Sequence, residues 1–446
     1  MEGLSKKYGL PTAIAMVVGV VIGSGVFFKA DDVLVLTDGN VLLALIAWGL
    51  GAFAMIFGAM CFAEFAGRIE RTNGIVDYTE IAYGKRVGYL TGWFNCVIYF
   101  SPLSAILAWV SSLYTMILMG SDNPSNSLAT WFLAVVYMVM IYLMNYMAPI
   151  IAGKFQVTTT VIKLIPLALI AFLGVIGGIT NGIFVENMRM GVSGISKSGG
   201  TLASAVVATA FAYEGWIVAV TVNSEIKDSK KNLPKALVMG TFIVFFIYIL
   251  YFLGITSSLP AEQILIQGDQ AVSSVANNLF GNVGGSILIA FVVVSCLGTL
   301  NGLALSNSRI PYSLAIRGQG PAPKFFSKVD KKTNMPRHSA IAAFALSIIY
   351  LVLWYASLNN LFGMYIGLDE IPIVMVYGIY IILYVWYMRN FKDLNFFNRY
   401  VKPICAILGA LVIVVGGIQN PNVGIYMLIS LVIILSGLLF YRKDAA

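Results

Sequence analysis

Charged residues are scarce in this chain: Asp, Glu, Lys and Arg make up 11% of its 446 residues, and apolar residues make up 59%. An ordinary soluble domain carries about 25% charged residues, so the composition excludes that class of protein. The sequence has a single histidine, His338, and no readable metal cluster or nucleophile–base pair. These absences speak against an enzyme and predict neither a cofactor nor a bound metal. The four cysteines lie in apolar segments without metal-ligand spacing and are expected to be buried and inert.

The chain contains many long apolar segments. A helix needs roughly 20 residues to cross ~30 Å of hydrocarbon, and we count about twelve segments of this length. The sequence therefore predicts an all-α integral membrane protein with about twelve transmembrane helices. The segments begin near Pro11, Val41, Gly88, Leu128, Phe155, Gly200, Leu237, Ser286, Ser339, Leu361, Val401 and Val423.

The basic residues are distributed unevenly between the two sides of the predicted membrane. Of the 28 Lys and Arg residues, all but Lys29, Lys163, Arg189 and Lys197 fall on the side that holds both termini. Basic loops are retained in the cytoplasm, so the pattern predicts a multi-pass protein of the cytoplasmic membrane with both termini inside. The excess of basic residues thus indicates a lipid bilayer rather than a nucleic acid as the partner.

Two of the apolar segments are interrupted near their centres. The interruptions are residues 20–28 (VVIGSGVFF) and residues 209–217 (TAFAYEGWI). Lipid cannot satisfy the backbone N–H and C=O groups that a break exposes, so each break must line a protein or water cavity. Breaks at corresponding places in two halves of a chain indicate the substrate site of an inverted-repeat transporter.

Segment counting predicts how the chain is organised. Residues 1–178 comprise the N-terminal segment and helices 1–5, and residues 179–388 an external connection and helices 6–10. A repeat of five helices has odd length, so the second block must enter the membrane from the opposite side, which is an inverted repeat. Residues 389–446 add helices 11 and 12, with a cytoplasmic tail.

The chemistry of the breaks suits a small zwitterion. Gly23, Ser24 and Gly25 allow a new helix to start, and its free N–H groups would bind a carboxylate. Unpaired carbonyls at Val21 and Phe211 would accept from an ammonium group. The alternative for the glycines is close helix packing, which uses the same small residues. The predicted binding set is Val21, Ile22, Gly23, Ser24, Gly25, Phe211, Ala212, Tyr213, Glu214 and Gly215.

Ionisable residues inside the predicted spans need a partner or a role, because burying them is costly. Lys163 lies near the middle of segment five, and Glu214 lies in the second break. Lys163 is predicted to be functional, whereas a structural link and a coupling role are both open for Glu214. Asp369 and Glu370, in segment ten, are expected near an outer mouth.

These residues resemble the amino acid–polyamine–organocation transporter superfamily and, within it, the L-type amino acid transporter family, over the whole chain. Among members the chain is most similar to bacterial exchangers of alanine, serine and cysteine. The motifs that carry the resemblance are residues 22–27 (IGSGVF), 211–216 (FAYEGW), 223–227 (NSEIK), 231–234 (KNLP) and 295–309 (SCLGTLNGLALSNSR).

The resemblance implies sodium-independent exchange of small neutral L-amino acids, with broken helices one and six binding the substrate backbone. It implies that Phe211 is a gating aromatic and that the Lys163 ammonium stands where sodium-coupled relatives hold a cation. Two departures matter. Residues 119–127 lack the cysteine that ties eukaryotic members to a glycoprotein, so no obligate disulfide-linked partner is expected. Glu214 stands where several neutral amino acid carriers have glycine.

Other functions remain open at this point. Glu214 would also suit a proton-coupled amino acid symporter or a carrier of cationic amino acids. A transport-silent amino acid receptor would have the same site without turnover. A channel is disfavoured, because most segments are apolar all round and offer no continuous polar path.

The charge distribution makes a testable prediction of orientation. Cysteines introduced at Asn126 and Gln267 should react with a membrane-impermeant thiol reagent in intact cells. Cysteines at Asp228 and Lys392 should react only after the cells are permeabilised. Unmodified protein provides the background, and the reverse labelling pattern would contradict the predicted topology.

Overall fold

The computed structural model describes residues 5–23, 25–71, 73–121, 123–125, 127–190, 202–268, 270–281, 283–363, 366–368, 370–418 and 423–443. Five residues that the sequence analysis names lie outside these ranges: Ser24, Asn126, Lys197, Gly200 and Asp369. Within the ranges, β-structure is limited to two isolated bridges, Tyr8–Ile226 and Asp330–Met335. The backbone is otherwise helical or in turns, which confirms the predicted all-α class.

The helices fall into two groups along the chain, one before and one after residue 200. The first group is α1 (Leu10–Val21), α2 (Gly25–Leu36), α3 (Val41–Arg68), α4 (Gly74–Tyr83), α5 (Lys85–Phe94), α6 (Ser101–Leu118), α7 (Leu128–Met147), α8 (Pro149–Asn181) and α9 (Ile183–Met190). The second group is α10 (Leu202–Ala212), α11 (Val218–Thr221), α12 (Ser229–Ser258), α13 (Ala261–Gln267), α14 (Gln270–Phe280), α15 (Gly284–Asn307), α16 (Ile310–Ala315), α17 (Pro323–Phe326), α18 (Arg337–Leu358), α19 (Glu370–Asn390), α20 (Lys402–Ile418) and α21 (Val423–Gly437). A π-helical stretch, Asn95–Phe100, joins α5 to α6.

In the described part of the chain, nine helical spans are long and apolar enough to cross a membrane. The broken pairs α1–α2 and α10–α11 and the C-terminal helix account for the rest of the predicted segments. Three predicted starts are wrong: α8, α12 and α19 begin at Pro149, Ser229 and Glu370 rather than at Phe155, Leu237 and Leu361. Both α8 and α12 begin before their most apolar stretch, so their N-terminal turns precede the predicted starts. The tenth span starts late because turns precede it, with a positive φ at Asn360 and at Gly363.

The two broken spans lie in the interior of the helix bundle. Helix α1 packs between α8, α12 and α15, and α10 packs against α2, α3 and α20. Side chains beside the breaks, such as Val18 and Trp216, are almost completely buried. The intact helices therefore surround the irregular backbone and keep it away from lipid, as the bilayer requires.

Helices α8 and α12 make an unusually close contact through glycine. A Cβ atom added at Gly174 would overlap the carbonyl of Gly254, and one added at Gly254 would overlap the carbonyl of Ile170. Backbone atoms cannot move aside as the end of a flexible side chain can. Small residues of this kind allow membrane helices to approach closely, and α8 and α12 hold two of the residues that contact the first break.

We therefore expect Gly174→Val to destabilise the protein by about 1–3 kcal/mol, as overpacking typically does. Its thermal unfolding midpoint in detergent should fall below that of the wild type. The matched control is Gly177→Val on the same helix, since nothing lies within 4 Å of the added Cβ there. Equal midpoints for the two variants would show that the close contact does not contribute to stability.

Candidate substrate-binding site

The first break begins where α1 loses its regular hydrogen bonds. The amide of Ile22 still donates to the carbonyl of Val18 (2.9 Å), but the amide of Gly23 turns back to Val21 (2.8 Å). Helix α2 then starts at Gly25. The carbonyls at the end of α1 are therefore left without helical donors and need partners from elsewhere.

The ammonium group of Lys163 is the partner of two of those carbonyls, Gly19 and Ile22. Its Nζ atom lies 2.7 Å from the carbonyl oxygen of Gly19, 2.5 Å from that of Ile22 and 3.0 Å from that of Ser295. The side chain is completely buried. The hydroxyl of Ser295 also donates to Ile22 (3.1 Å), and that of Thr299 donates to Gly19 (3.2 Å). Together these groups connect α8, α15 and the broken end of α1.

A polar stripe on α8 continues this contact along α1. Gln156, Thr160 and Lys163 are spaced by four and three residues and so share one helix face. The Nε2 atom of Gln156 donates to the carbonyl of Ala15 at 3.3 Å. The hydroxyl of Thr160 lies 3.3 Å from the same oxygen and 2.7 Å from the carbonyl oxygen of Gln156. Helix α1 is therefore held against α8 by hydrogen bonds as well as by packing.

The second break follows the end of α10 at Ala212. The amide of Glu214 donates to the carbonyl of Phe211 (3.2 Å), and α11 starts only at Val218. Gly215 has a φ of 105°, a conformation that favours glycine. A Cβ atom at Gly215 would also lie 2.7 Å from a methyl group of Val20. The sequence FAYEGW thus turns sharply against the first break.

The two breaks contact each other directly. A Cβ atom added at Gly25 would lie 2.9 Å from the Cα atom of Ala212. From α12, the hydroxyl of Tyr248 lies 2.9 Å from the carbonyl oxygen of Val21 and 3.0 Å from that of Ala212. A hydroxyl has one proton to donate, so the carbonyl ends of α1 and α10 converge on a single donor. The pair of carbonyls predicted from the sequence is that of Val21 and Phe211. In the structure, the carbonyl that shares the Tyr248 hydroxyl with Val21 is that of Ala212. The carbonyl of Phe211 instead accepts from the amide of Glu214.

A cavity of about 50 Å³ lies between the breaks. The predicted binding residues that line it are Val21, Gly23, Gly25, Phe211, Ala212, Glu214 and Gly215. Ile22 and Tyr213 are instead buried in the surrounding packing, where Tyr213 stacks on Tyr248. The lining residues that sequence reasoning missed are Val20, Leu103, Leu107, Thr299, Leu303 and Ile373. Thr299 and Leu303 lie in one of the motifs singled out from the sequence, whereas Leu103, Leu107 and Ile373 look like any other apolar residue.

Glu214 is the ionisable side chain of the described cavity lining, and Phe211 is its aromatic side chain. The hydroxyl of Tyr99, in the π-helical stretch, donates to the Oε1 atom of Glu214 at 2.5 Å. Phe211 lines the cavity, and the ammonium of Lys29 lies 5.7 Å from the centre of its ring, within the range of a cation–π contact. Lys29 is also paired with Asp32 at 2.6 Å.

The described residues contain no group of three or more His, Cys, Asp or Glu side chains able to hold a metal ion. Cys61, Cys96 and Cys296 are buried and Cys405 is half-buried. The ionisable side chains described above near the breaks are Lys163, Glu214 and Lys29. This arrangement suits recognition of a small polar molecule by backbone atoms and fixed charges.

Comparisons with known proteins agree with this architecture. The family model described as amino acid permease matches residues 8–443. The serine/threonine exchanger SteT of Bacillus subtilis (strain 168) is 32% identical over 383 residues, which cover 86% of this chain and 83% of SteT. The human large neutral amino acids transporter small subunit 2 is 28% identical over 336 residues, covering 75% of this chain and 62% of that protein.

The fold also matches a solved structure. The crystal structure of MhsT in complex with L-phenylalanine has a TM-score of 0.63 and 16% sequence identity, and the match covers 93% of this chain and 100% of that one. At this identity the likeness concerns the fold alone. The family match confirms the resemblance drawn from the sequence and the prediction that the protein is an amino acid transporter of the membrane rather than an enzyme. The chain belongs to the amino acid permease family.

Proposed function

We propose that this protein is a sodium-independent antiporter that exchanges small neutral L-amino acids, such as alanine, serine, cysteine and glycine, by alternating access. It would act in the cytoplasmic membrane with both termini in the cytoplasm. The observation that carries the proposal is the convergence of two broken helices on one small cavity. The cavity lining includes the start of α2 at Gly25, the end of α1 at Val21 and the end of α10 at Ala212.

The geometry of the breaks supports a zwitterionic substrate. The N–H groups at the start of α2, near Gly25, and the positive end of its dipole suit a carboxylate. The carbonyls of Val21 and Ala212, which share one Tyr248 hydroxyl, suit an ammonium group. Both substrate groups would thus be bound by backbone atoms, independently of the substrate side chain.

The size of the cavity supports a small substrate. One water molecule needs a cavity volume of roughly 10–15 Å³. A cavity of about 50 Å³ therefore has room for roughly three to five water molecules. That is about the size of alanine or serine. A larger side chain would require Leu103, Leu107 or Ile373 to move.

The contacts of Lys163 support independence from sodium. Carbonyl oxygens of Gly19, Ile22 and Ser295 surround its ammonium group, as oxygen ligands would surround a metal cation. A fixed ammonium there makes a soluble cation unnecessary for holding the broken helix. Because this ammonium group belongs to the chain, it is not taken up and released during transport as a bound sodium ion would be.

The relatives support exchange without an obligate protein partner. SteT is named as an exchanger, whereas the human relative is named as a small subunit. The segment between α6 and α7, residues 119–127, has no cysteine for a disulfide to a second chain. We therefore propose that the chain functions without a disulfide-linked glycoprotein.

Purified protein in liposomes tests this function. Uptake of labelled alanine should require unlabelled amino acid inside and should not change when external sodium is replaced by potassium. Alaninamide and propionate should fail to compete, since each lacks one of the two groups that the breaks would bind. Uptake into empty liposomes driven by a proton gradient would instead indicate a symporter, and binding without uptake would indicate a receptor.

Lys163→Ala tests the proposed role of the buried ammonium. The change removes the charged donor to the carbonyls of Gly19 and Ile22, leaving only the hydroxyls of Thr299 and Ser295, but Lys163 itself does not line the cavity. We expect a clear fall in exchange rate, or a different response from the two faces, with little change in which amino acids compete. Lys154→Ala, on the exposed side of the same helix, is the matched control. Wild-type exchange from both faces by Lys163→Ala would leave Lys163 with a packing role only.

A further inference from the structure

A second cavity lies outside the site described above. Its volume is about 160 Å³, larger than the cavity of about 50 Å³ between the breaks. Its walls come from the π-helical stretch (Ile98), the first turn of α6 (Pro102), α18, α21 and the connection between α18 and α19. The described linings of the two cavities have no residue in common, so the function proposed above does not account for the second one.

The lining of the second cavity is apolar. Among the described residues that form it, the phenol of Tyr350 is the one polar side chain, and the others are hydrocarbon. A buried water needs about two to four polar partners, which this lining does not offer. An engineered apolar cavity of about 150 Å³ in another protein stays dry and binds benzene or xenon. The second cavity therefore suits an apolar ligand, such as a piece of hydrocarbon about the size of a benzene ring.

The depth of the second cavity places it beside lipid tails rather than headgroups. Ile98 and Pro102 lie near the middle of the membrane-crossing span Lys85–Leu118. Ile429 and Ile433, from the opposite wall, lie within α21 rather than at its ends. At this depth a bilayer consists of hydrocarbon.

Two lining residues connect the second cavity to the outer surface of the helix bundle. Leu353 is 36% exposed and Phe362 is 46% exposed, whereas Tyr350 is only 8% exposed. Leu353 shares α18 with Ile349 and Val352, whose side chains are more than half exposed, and α18 is apolar enough to cross a membrane. Lipid covers an exposed apolar surface of this kind. A molecule that enters the cavity beside Leu353 therefore comes from the bilayer.

A single helical wall separates the two cavities. In α6, Pro102 lines the second cavity, and the next residue, Leu103, lines the cavity between the breaks. In the π-helical stretch, Ile98 lines the second cavity, and the next residue, Tyr99, donates to the carboxyl group of Glu214 in the second break. Packed protein interiors transmit strain, so a change on one side of this wall affects the other side.

We propose that the second cavity binds the hydrocarbon tail of a membrane lipid, and that the bound tail holds the α6 wall in the position that binds the substrate. An unfilled void would leave its lining without contacts on one side, and α6 would be free to move into it. The first part of the proposal does not depend on the proposed function. The second part rests on it, because it assumes that the cavity between the breaks binds the substrate.

Photolabelling of the purified full-length protein in nanodiscs tests whether a tail occupies the second cavity. The probe is a phosphatidylcholine with a diazirine at the end of one acyl chain, and labelled residues are located by mass spectrometry. The wild type should be labelled at Tyr350, which is too buried to meet bulk lipid, and at the exposed Phe172 of α8 as a reference. Ile433→Trp should lose most of the label at Tyr350, because the indole fills the cavity.

Val432→Trp is the matched control and should keep the label at Tyr350, since Val432 is 58% exposed and does not line the second cavity. Label at Phe172 without label at Tyr350 in the wild type would overturn the site, whatever the stability of the variants. Label at Tyr350 in a protein that does not exchange amino acids would uphold the site and reject the transport proposal.

Binding of L-alanine in detergent, measured by titration calorimetry before and after lipid removal, tests the support of α6. The wild type and Val432→Trp should lose affinity several-fold without lipid and regain it when phosphatidylcholine is added back. Ile433→Trp should keep its affinity, because its indole takes the place of the tail. Wild-type affinity that does not change on lipid removal, or an equal loss in the two Trp variants, would overturn the role in substrate binding. A wild type that binds no alanine in either condition would instead reject the proposed function, and the label at Tyr350 would still decide the site.

Discussion

Breaking a helix inside a membrane exposes backbone groups that lipid cannot satisfy, and the architecture around the site answers this constraint. The carbonyls at the end of α1 accept from Lys163, Ser295 and Thr299 on one side and from Tyr248 on the other. These donors come from three intact helices, α8, α15 and α12. The irregular backbone is thus held by a rigid frame rather than by its own helix.

The same frame limits how the broken spans can move. Displacement of α1 away from α8 breaks the hydrogen bonds that Gln156 and Lys163 donate to the carbonyls of α1 and its C-terminal break. At the other end of α1, the amides of Lys7 and Tyr8 donate to the carbonyl of Glu225, whose side chain is paired with the buried Arg309. Movement of the first span is therefore coupled through hydrogen bonds to α8, to α15 and to the segment after α11.

The sequence predicted those parts of the site in which a residue type contradicts its surroundings. Glycines and a carboxylate within apolar segments located both breaks, and a lysine in an otherwise apolar helix drew attention to Lys163. Tyr248, Leu103 and Ile373 could not be found in this way, because a tyrosine or an aliphatic residue in a membrane helix is ordinary. The contact between Tyr99 and Glu214 depends on a π-helical stretch, whose register no periodicity of the sequence indicates. Helix starts were misplaced where α8 and α12 continue beyond their most apolar residues.

The central claim is that the two breaks bind the backbone of an amino acid in one cavity. An experimental structure of the protein with bound L-alanine tests it most directly. The account predicts the carboxylate at the start of α2, beside Gly25, and the ammonium beside the carbonyls of Val21 and Ala212. Alanine bound elsewhere, or bound in the cavity with its carboxylate and ammonium exchanged, would contradict the account.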